Sequence, residues 1–431
     1  MNALSRRLPS RRIALACIAA GIVALAGCGG DNNGGGGSSQ GGSGGGGSVT
    51  VYSSMPLQGA ARPQSEKLVN GIKLALDQAG GKAGDITVKY VSLDDATPQA
   101  ANWTPEATSA NARKVVSDDS AVAYIGEFNS GATAISLPIL NEGGIAQVSP
   151  ANSAVGLTTN GPGAQPGEPD KYYPTGKRTF SRIVPTDLVQ GAGMAQRMKD
   201  QGCTSAFIVN DKEVYGSGLA KNIISAADGV GVKIVGDEAI DPKAPNYRSL
   251  AQKMKSAGAD CFAYAGITAN NAVQLFKDIA AANPDAKVLM GSDAVAEPAF
   301  TDPKEGGLPP DVAKRVTLTA VGLAPQDYPP EGQKFFKDFK ATYGPGDPGQ
   351  YAIFGYEAMS LVLDAIKRAG PNGTDRAAVL DQIMHTKDRK SVIGTYSITD
   401  TGDTTLKNYG VYAIENGSLK YVEAVEAPST Q

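Results

Sequence analysis

Histidine is almost absent from this chain, since His385 is the only one among 431 residues. One histidine cannot supply a cluster of metal ligands, and the zinc-site spacings H-x-x-x-H and C-x-x-C do not occur. A phosphate-binding P-loop is missing as well. The segment Tyr215-Gly216-Ser217-Gly218 opens a predicted helix but lacks the third glycine of a dinucleotide-binding fingerprint. We therefore expect no metal and no cofactor.

Sequence signatures of catalysis are missing too. The nucleophile-elbow pattern G-x-S-x-G is found only around Ser39 and Ser43, inside a glycine-rich stretch without strand-turn-helix context. The expectation is a protein that is not an enzyme. An enzyme that uses carboxylates alone needs no such motif, so a hydrolase working in a cleft is the alternative.

The chain also has no excess of positive charge, with 40 Lys and Arg against 43 Asp and Glu. If the first 27 residues are cleaved off, four arginines leave with them and the formal net charge falls from −3 to −7. No basic cluster remains to neutralise phosphates, so no nucleic acid is expected as a partner.

Long apolar runs are confined to the N-terminus, where residues 13–26 form a stretch too short for a comfortable transmembrane helix. Arginines precede it, and the sequence Leu-Ala-Gly-Cys, ending at Cys28, closes it. These features are typical of an export signal. The four closing residues resemble the bacterial lipobox, which predicts a lipoprotein signal peptide over 1–27 and lipidation of Cys28. A free cysteine in an ordinary signal peptide is the alternative, and Arg11-Arg12 leaves the export route, general or twin-arginine, open.

A flexible polar tether follows this cysteine. Residues 28–48 are almost wholly Gly, Ser, Asn and Gln, with Asp31 their only charge. Such a chain behaves as a random coil with a reach of roughly 25 Å. The body after it, of about 380 residues, is large enough for two lobes. We expect it in the cell envelope, lipid-anchored on the outer face of the cytoplasmic membrane or periplasmic.

Two cysteines remain in this body, Cys203 and Cys261, and each begins a strand-like segment. If those strands are neighbours in a parallel sheet, a disulfide between them is geometrically possible, and it suits an exported protein. Two buried free thiols are the alternative.

Strand and helix patterns alternate along the body, which predicts an α/β fold with parallel sheets covered by helices on both faces. The first series has strands at 49–53, 86–93, 121–125 and 146–149, with helices at 64–79, 105–117 and 132–141. The second has strands at 180–184, 205–209, 232–235, 261–265, 287–290 and 316–321, with helices at 186–199, 217–227, 247–257 and 269–281. The chain ends with helices at 332–342, 354–369 and 375–385 and a hairpin of strands at 408–414 and 419–425. The Gly- and Pro-rich stretch 156–176 is predicted as a surface loop.

Three loop motifs that follow predicted strands resemble those of a known family. They are Gly-Glu-Phe-Asn-Ser-Gly-Ala-Thr at 126–133, Ser-Pro-Ala-Asn-Ser at 149–153 and Asn-Asp-Lys-Glu-Val-Tyr-Gly-Ser-Gly at 210–218. In this order they resemble the leucine/isoleucine/valine-binding proteins, which are type I periplasmic solute-binding proteins of ABC importers. The resemblance implies two Rossmann-like lobes joined by hinge crossovers. Lobe 1 would be 49–185 plus 323–393, and lobe 2 would be 186–322 plus 394–425.

The resemblance also implies a ligand site between the lobes. Ser130 matches the serine that holds the ligand α-carboxylate, and it precedes a predicted helix whose free N–H groups favour an anion. Ala151 and Ser153 match the loop whose carbonyl takes the ligand ammonium and whose hydroxyl or N–H takes the carboxylate. Tyr215 matches a tyrosine that covers the ligand. Asp293 matches the acidic partner of the ammonium group.

Each of these five residues also has a purely structural explanation. Ser130 is a suitable helix N-cap, and Ala151 and Ser153 are typical of a turn. Tyr215 fits a packed aromatic residue, and Asp293 fits a cap for the following helix.

The departures from the family pattern concern ligand specificity. The loop after the first strand lacks a tyrosine that is common in the family and carries Arg62. This arginine points either into the cleft, where it would favour an acidic ligand, or outward into solvent. Asn129 replaces a cysteine of some relatives, and the stretch 156–176 is placed to shade the mouth of the cleft.

Together these features predict a membrane-anchored protein that captures an amino acid of the branched-chain type, or a related small carboxylate or amide, between two closing lobes. Its expected partners are the ligand, the permease of an ABC transporter and, through the anchor, the membrane. It is expected to act as a monomer. A sensory binding module of the same fold is the alternative, because a docking partner is not encoded in this chain.

Overall fold

Strands and helices alternate through the folded body, as the sequence predicts. The computed structural model describes residues 46–426, which lie in one compact unit. The strands are β1 (Ser48–Met55), β2 (Lys82–Ala83), β3 (Ile86–Asp94), β4 (Ala96–Thr97), β5 (Asn102–Trp103), β6 (Ala121–Ile125), β7 (Ala146–Ser149), β8 (Phe180–Arg182), β9 (Ser205–Asn210), β10 (Lys233–Ala239), β11 (Cys261–Ala265), β12 (Val288–Gly291), β13 (Val316–Ala320), β14 (Arg389–Ser391), β15 (Gly394–Tyr396), β16 (Asn408–Glu415) and β17 (Ser418–Glu426). The α-helices are α1 (Arg62–Gln78), α2 (Pro105–Val116), α3 (Ser130–Glu142), α4 (Asp187–Asp200), α5 (Val214–Gly229), α6 (Arg248–Ser256), α7 (Ala272–Ala282), α8 (Pro298–Thr301), α9 (Pro310–Ala313), α10 (Pro330–Tyr343), α11 (Ala352–Arg368) and α12 (Arg376–Met384).

The first sheet is built around apolar parallel strands. Within residues 46–426 it has six strands in the order β2-β3-β1-β6-β7-β8, and only the short edge strand β2 pairs antiparallel. Every residue of β6 is buried, because helices cover both faces of the sheet. Helix α1 packs against α11, and α2 packs against α3. A strand buried on both faces is the pattern that parallel sheets require.

The second sheet has, in the described part of the chain, seven strands in the order β10-β9-β11-β12-β13-β16-β17. The first five run parallel, and the terminal hairpin β16-β17 adds two antiparallel strands. Both residues of the hairpin turn, Asn416 and Gly417, have positive φ, which is why an Asn-Gly pair suits this turn. Helices α4 and α5 cover one face, and α6 and α7 cover the other.

The chain passes between the two sheets three times: after β8, after β13 and before β16. Helices α10 to α12 follow the strands of the second sheet in sequence, yet their apolar residues pack into the core of the first. The predicted α/β class with two parallel-sheet bodies agrees with this topology. The lobe boundaries near 185, 322 and 393 stay a prediction.

A disulfide joins Cys203 and Cys261. Cys203 lies just before β9 and Cys261 begins β11, and these two strands are parallel neighbours. Both cysteines are buried. Of the two alternatives, the structure therefore has the bridge, which links residues 58 positions apart in sequence.

The loop 156–176 is anchored more firmly to the body than the sequence predicts. Tyr172 and Tyr173 are buried and pack with Leu137 of α3 and Phe180 of β8. The segment is otherwise an irregular loop with many exposed residues, as predicted, but the prediction missed the aromatic residues whose buried apolar surface anchors it.

None of the helices within residues 46–426 is both long and apolar enough to cross a membrane. The predicted signal peptide at 1–27, the predicted lipidation site Cys28 and nearly all of the 28–48 tether lie outside the described residues.

Candidate functional site

A small cavity lies between loops that follow parallel strands of both sheets. Ligands commonly bind at this edge of parallel sheets. Asp293 is the one acidic side chain among the ten described residues that line the cavity. The ten are Phe128, Asn129, Ser130, Ala151, Ser153, Tyr215, Ile267, Asp293, Ala294 and Tyr351. The structure thus brings together all five residues that were predicted for ligand binding.

Ser130 is the first residue of α3, which begins two residues earlier than expected. The N-cap is Asn129, whose side chain makes no capping hydrogen bond, so Ser130 is not the N-cap of this helix. The Ser130 hydroxyl accepts one long hydrogen bond, 3.4 Å from the Ala154 N–H. The helix N-terminus and this hydroxyl together offer donors to an anion at the cavity wall.

The loop that carries Ala151 and Ser153 is held by the side chain of Ser149. Its hydroxyl oxygen accepts hydrogen bonds from the N–H of Ala151 at 3.2 Å and of Asn152 at 2.8 Å. The Asn152 amide in turn donates to the carbonyl of Phe128 at 2.9 Å. These bonds fix the loop relative to the neighbouring loop of Ser130, so the three ligand-binding candidates on the two loops are held together.

The side chain of Arg182 also holds the loop that carries Ala151 and Ser153. Its fully buried guanidinium donates to the carbonyls of Asn152 at 3.2 Å and Ala154 at 2.8 Å and to the Thr158 hydroxyl at 2.5 Å. It also pairs with Asp403 at 2.7 Å, in the segment that leads back to the second sheet. Arg182 thereby connects a crossover segment with the loop of Ser153.

Asp293 receives three hydrogen bonds from protein side chains. Its Oδ1 accepts from Tyr215 Oη at 2.5 Å and Gln190 Nε2 at 2.8 Å, and its Oδ2 accepts from Tyr351 Oη at 2.8 Å. Burial and the negative charge of Asp293 raise the pKa of both tyrosines well above the usual value, so their hydroxyls stay protonated and donate. A carboxylate has about four acceptor positions, which leaves one on Oδ2 for a ligand. The cap of the following short helix is Ser292, so Asp293 is not that cap.

Aromatic residues from both halves of the molecule close the cavity. Tyr215 lies in the first turn of α5, which begins three residues before the predicted start at 217. Tyr351 precedes α11 and meets Phe128 edge to face, with ring centroids 4.9 Å apart. The packed-aromatic explanation for Tyr215 is incomplete, because this ring also donates to a cavity carboxylate.

Four residues in or next to the site, three of them buried and one partly buried, were not predicted from the sequence. Phe128 lies inside the motif at 126–133, but the sequence does not indicate that its ring forms a wall of the cavity. Tyr351 follows a Pro-Gly turn directly before an apolar helix, which was a usable signal. Gln190 and Asp187 are buried polar positions of α4 at the start of an otherwise ordinary amphipathic pattern.

Arg62 points outward, which decides between its two alternatives. Its side chain is 60% exposed and pairs with Glu66 one turn along α1.

A group with metal-ligand atoms, Cys203, Asp260 and Cys261, lies far from the cavity at the start of the strands. The two sulfurs are joined in the disulfide and so offer no thiolates, and Asp260 is engaged by Lys287.

Comparisons with known proteins identify the family of this chain. A family model described as periplasmic binding protein matches residues 49–418. The Leu/Ile/Val-binding protein BraC3 of Rhizobium johnstonii is 24% identical over 391 residues, which cover 87% of this chain and 94% of that protein.

Solved structures share the fold over most of the chain. The branched-chain amino acid transporter substrate-binding protein LivJ of Streptococcus pneumoniae, in complex with isoleucine, has a TM-score of 0.73 at 19% identity and covers 88% of this chain and 99% of that one. An ABC transporter solute-binding protein of R. palustris, in complex with benzoate, has a TM-score of 0.69 at 20% identity and covers 88% of this chain and 97% of that one.

Proposed function

The chain belongs to the periplasmic binding protein family, and we propose that it is the solute-binding component of an ABC transporter whose ligand is an amino acid of the branched-chain type or a related small carboxylate or amide. The family is extracytoplasmic and consists of binding proteins, which confirms the prediction that the chain is not an enzyme. The alternative of a cleft hydrolase is therefore wrong.

One observation carries the proposal of an amino acid. The cavity has uncharged hydrogen-bond donors at one side, the Ser130 hydroxyl and the N-terminus of α3, and the Asp293 carboxylate at the other. An α-amino acid has a carboxylate and an ammonium group on one carbon. In this cavity the carboxylate of such a zwitterion faces the hydrogen-bond donors, and its ammonium group faces Asp293.

The binding mechanism follows from these contacts. The ligand carboxylate accepts hydrogen bonds from Ser130 and Ser153, and its ammonium group donates to the carbonyl of Ala151 and to Asp293. Tyr215 covers the ligand from the side of the second sheet. Since Ser130 and Asp293 belong to different halves of the molecule, a ligand bound to both favours the closed arrangement. The closed form is what a permease would recognise.

The proposed cellular setting rests on the sequence outside the described residues. Cleavage before Cys28, lipidation of its thiol and a Gly/Ser tether would hold the protein on the outer face of the cytoplasmic membrane, next to the permease. We expect a monomer, because one cavity within one chain contains every residue assigned to the ligand.

A thermal-shift screen of the soluble protein beginning at residue 46 tests this function. The panel holds the twenty amino acids, short amides and benzoate, and an α-amino acid is expected to raise the melting temperature by mass action. Ser130→Ala and Asp293→Asn should each abolish most of this shift. Ser65→Ala, which removes a buried hydroxyl from α1 outside the cavity wall, should leave it unchanged.

Two results of the screen would count against the proposal. If no amino acid shifts the melting temperature, the amino-acid ligand is wrong. If benzoate alone shifts it, the binding fold stands, but the ligand is a carboxylate without an ammonium group, as in the R. palustris complex.

A further inference from the structure

An aromatic pocket, here called the crossover pocket, lies beside the segment that leads from β13 back to the first half of the molecule. Two of its rings, Tyr328 and Phe336, pack with the core of the first sheet, and two, Tyr412 and Tyr421, pack with the core of the second. The ring centroids are 5.5 Å apart within each pair. Residues 322–324 of the crossover segment complete the wall. The pocket therefore spans both halves of the molecule.

The charge at the crossover pocket is negative. Among the twelve described residues that line it, Asp347 is acidic and none is basic. A second acid, Asp327, is close by: burial raises the pKa of the Tyr412 hydroxyl, and the charges of Asp347 and Asp327 act in the same direction. Both aspartates are exposed, so they lie on the side from which a ligand would enter. Since the faces of aromatic rings also carry partial negative charge, the pocket is complementary to a cation.

A buried amide in the wall of the crossover pocket has an unused acceptor. Gln350 lines the pocket and is 8% exposed, and its Oε1 makes no hydrogen bond. Its Nε2 donates to the carbonyls of Asp293 and Ala296, at 3.3 Å each. A buried acceptor without a partner is costly, and an N–H group of a ligand would satisfy it. The pocket therefore favours a cation with an N–H group over a quaternary ammonium ion.

We propose that the crossover pocket is a second binding site, which takes a small primary alkylammonium ion and thereby strengthens the binding of the amino acid. The charged group lies among the rings of Tyr412 and Tyr421 and the carboxylate of Asp347, and one of its N–H groups donates to Gln350 Oε1. Binding of the ion stands on the pocket alone. The effect on the amino acid rests on the proposed function.

Two adjacent residues connect the crossover pocket with the ligand cavity. Gln350 bonds to the backbone carbonyl of Asp293, and Tyr351 donates to the carboxylate of the same residue. An ion that contacts rings from both halves stabilises the arrangement in which the halves are together, as does an amino acid bound to Ser130 and Asp293. Two ligands that favour the same state raise each other's affinity by the same factor, for which we expect about fivefold.

Isothermal titration calorimetry of the soluble protein with propylammonium chloride tests the site. Saturating L-leucine is present, so that the ligand cavity is occupied, and sodium chloride at the same ionic strength is the control for charge alone. Propylammonium should bind and sodium should not, whereas tetramethylammonium, which has no N–H group, should bind at least about threefold more weakly. In the reverse titration, saturating propylammonium should lower the Kd of L-leucine about fivefold.

Matched variants locate the ion. Tyr421→Leu removes an aromatic face and should weaken propylammonium binding about fivefold, whereas Tyr421→Phe keeps the ring and should bind it like the unmodified protein. Asp347→Asn loses the charge but keeps the oxygen that accepts from the Gly349 N–H at 2.9 Å, and it should weaken binding about threefold. Asp311→Asn, at an exposed position of α9 outside the pocket, should have no effect. In the absence of propylammonium, all four variants should bind L-leucine like the unmodified protein.

The outcomes distinguish this inference from the proposed function. If propylammonium gives no more heat than sodium chloride, or binds Tyr421→Leu as tightly as the unmodified protein, the second site is wrong and the amino-acid function is unaffected. If it binds at the pocket but leaves the Kd of L-leucine unchanged, the coupling is wrong. If L-leucine does not bind, the proposed function fails, and the same titrations of the protein without leucine confirm or overturn the second site.

Discussion

Tyr351 donates a hydrogen bond to Asp293 across the cleft, with 2.8 Å between the phenol oxygen and Oδ2. Tyr351 precedes α11, which packs in the core of the first sheet, and Asp293 follows β12 of the second. The bond therefore joins the two halves of the molecule at the cavity itself. It exists only when the halves are together, so it contributes to the free energy of closure.

Removing the phenol oxygen should weaken ligand binding. We expect Tyr351→Phe to raise the Kd of the amino acid about tenfold, since one hydrogen bond to a charged group contributes about 1.5 kcal/mol. Calorimetric titration measures the change. Tyr343→Phe is the matched control, because this partly exposed tyrosine bonds only to a backbone carbonyl within the first half, that of Asn70. Equal affinity of Tyr351→Phe and the unmodified protein would contradict a role in closure.

The disulfide should stabilise the fold without affecting the ligand. Cys203 and Cys261 lie where their strands begin, whereas the cavity lies where the strands end. A closed loop of 58 residues predicts a loss of about 4 kcal/mol in the free energy of unfolding for the double variant Cys203→Ala/Cys261→Ala. Urea unfolding followed by circular dichroism measures it. The Kd should stay within a factor of about two; a large loss of affinity would show that the bond acts on the site.

The ion pair of Arg182 and Asp403 should be important for folding. Asp403→Asn removes the charge opposite a fully buried guanidinium, and we expect a loss of about 3 kcal/mol in the free energy of unfolding. Asp400→Asn, at an exposed position of the same segment, should change it by less than about 0.5 kcal/mol. Comparable urea midpoints for the two variants would mean that Arg182 is held by its other three bonds alone.

Buried carboxyl groups should make the empty protein less stable as the pH rises. Burial raises the pKa of Asp187 to about 8 and that of Glu297 to about 7, against ordinary values of 3.8 and 4.5. The folded state therefore binds more protons than the unfolded state between these limits, so the free energy of unfolding falls as the pH rises from about 4 to 8. Asp187→Asn and Glu297→Gln should each flatten this dependence in a series of urea titrations. If both variants keep the slope of the unmodified protein, the pH dependence of the free energy of unfolding comes from other groups.

The fold was largely predictable because its signals are local. A continuous apolar run that is bounded by turn residues, such as 121–125, is typical of a buried parallel strand. The composition of the stretch 156–176 indicated a loop, but it did not indicate that Tyr172 and Tyr173 bury their rings against distant residues. Tertiary contacts of single aromatic residues are not visible in periodicity.

The site was predictable only in part, and for a related reason. Ser130, Ala151 and Ser153 lie in short motifs after strands, so their position at one sheet edge follows from the topology. Tyr351 reaches the cavity only because a later crossover returns α11 to the first half of the molecule, next to the loop of Asp293. The raised pKa of Asp187 depends on burial and on neighbouring charges, which a sequence pattern does not report.

The central claim is that the cavity recognises both charged groups of an amino acid, and one calorimetric comparison tests it most directly. The soluble protein is titrated with L-leucine, with 4-methylpentanoate, which lacks the ammonium group, and with 3-methylbutylamine, which lacks the carboxylate. Leucine should bind at least about a hundredfold more tightly than either analogue, because each charged end contributes about 1.5–3 kcal/mol per hydrogen bond. If 4-methylpentanoate binds as tightly as leucine, Asp293 is not an ammonium partner and the account is wrong.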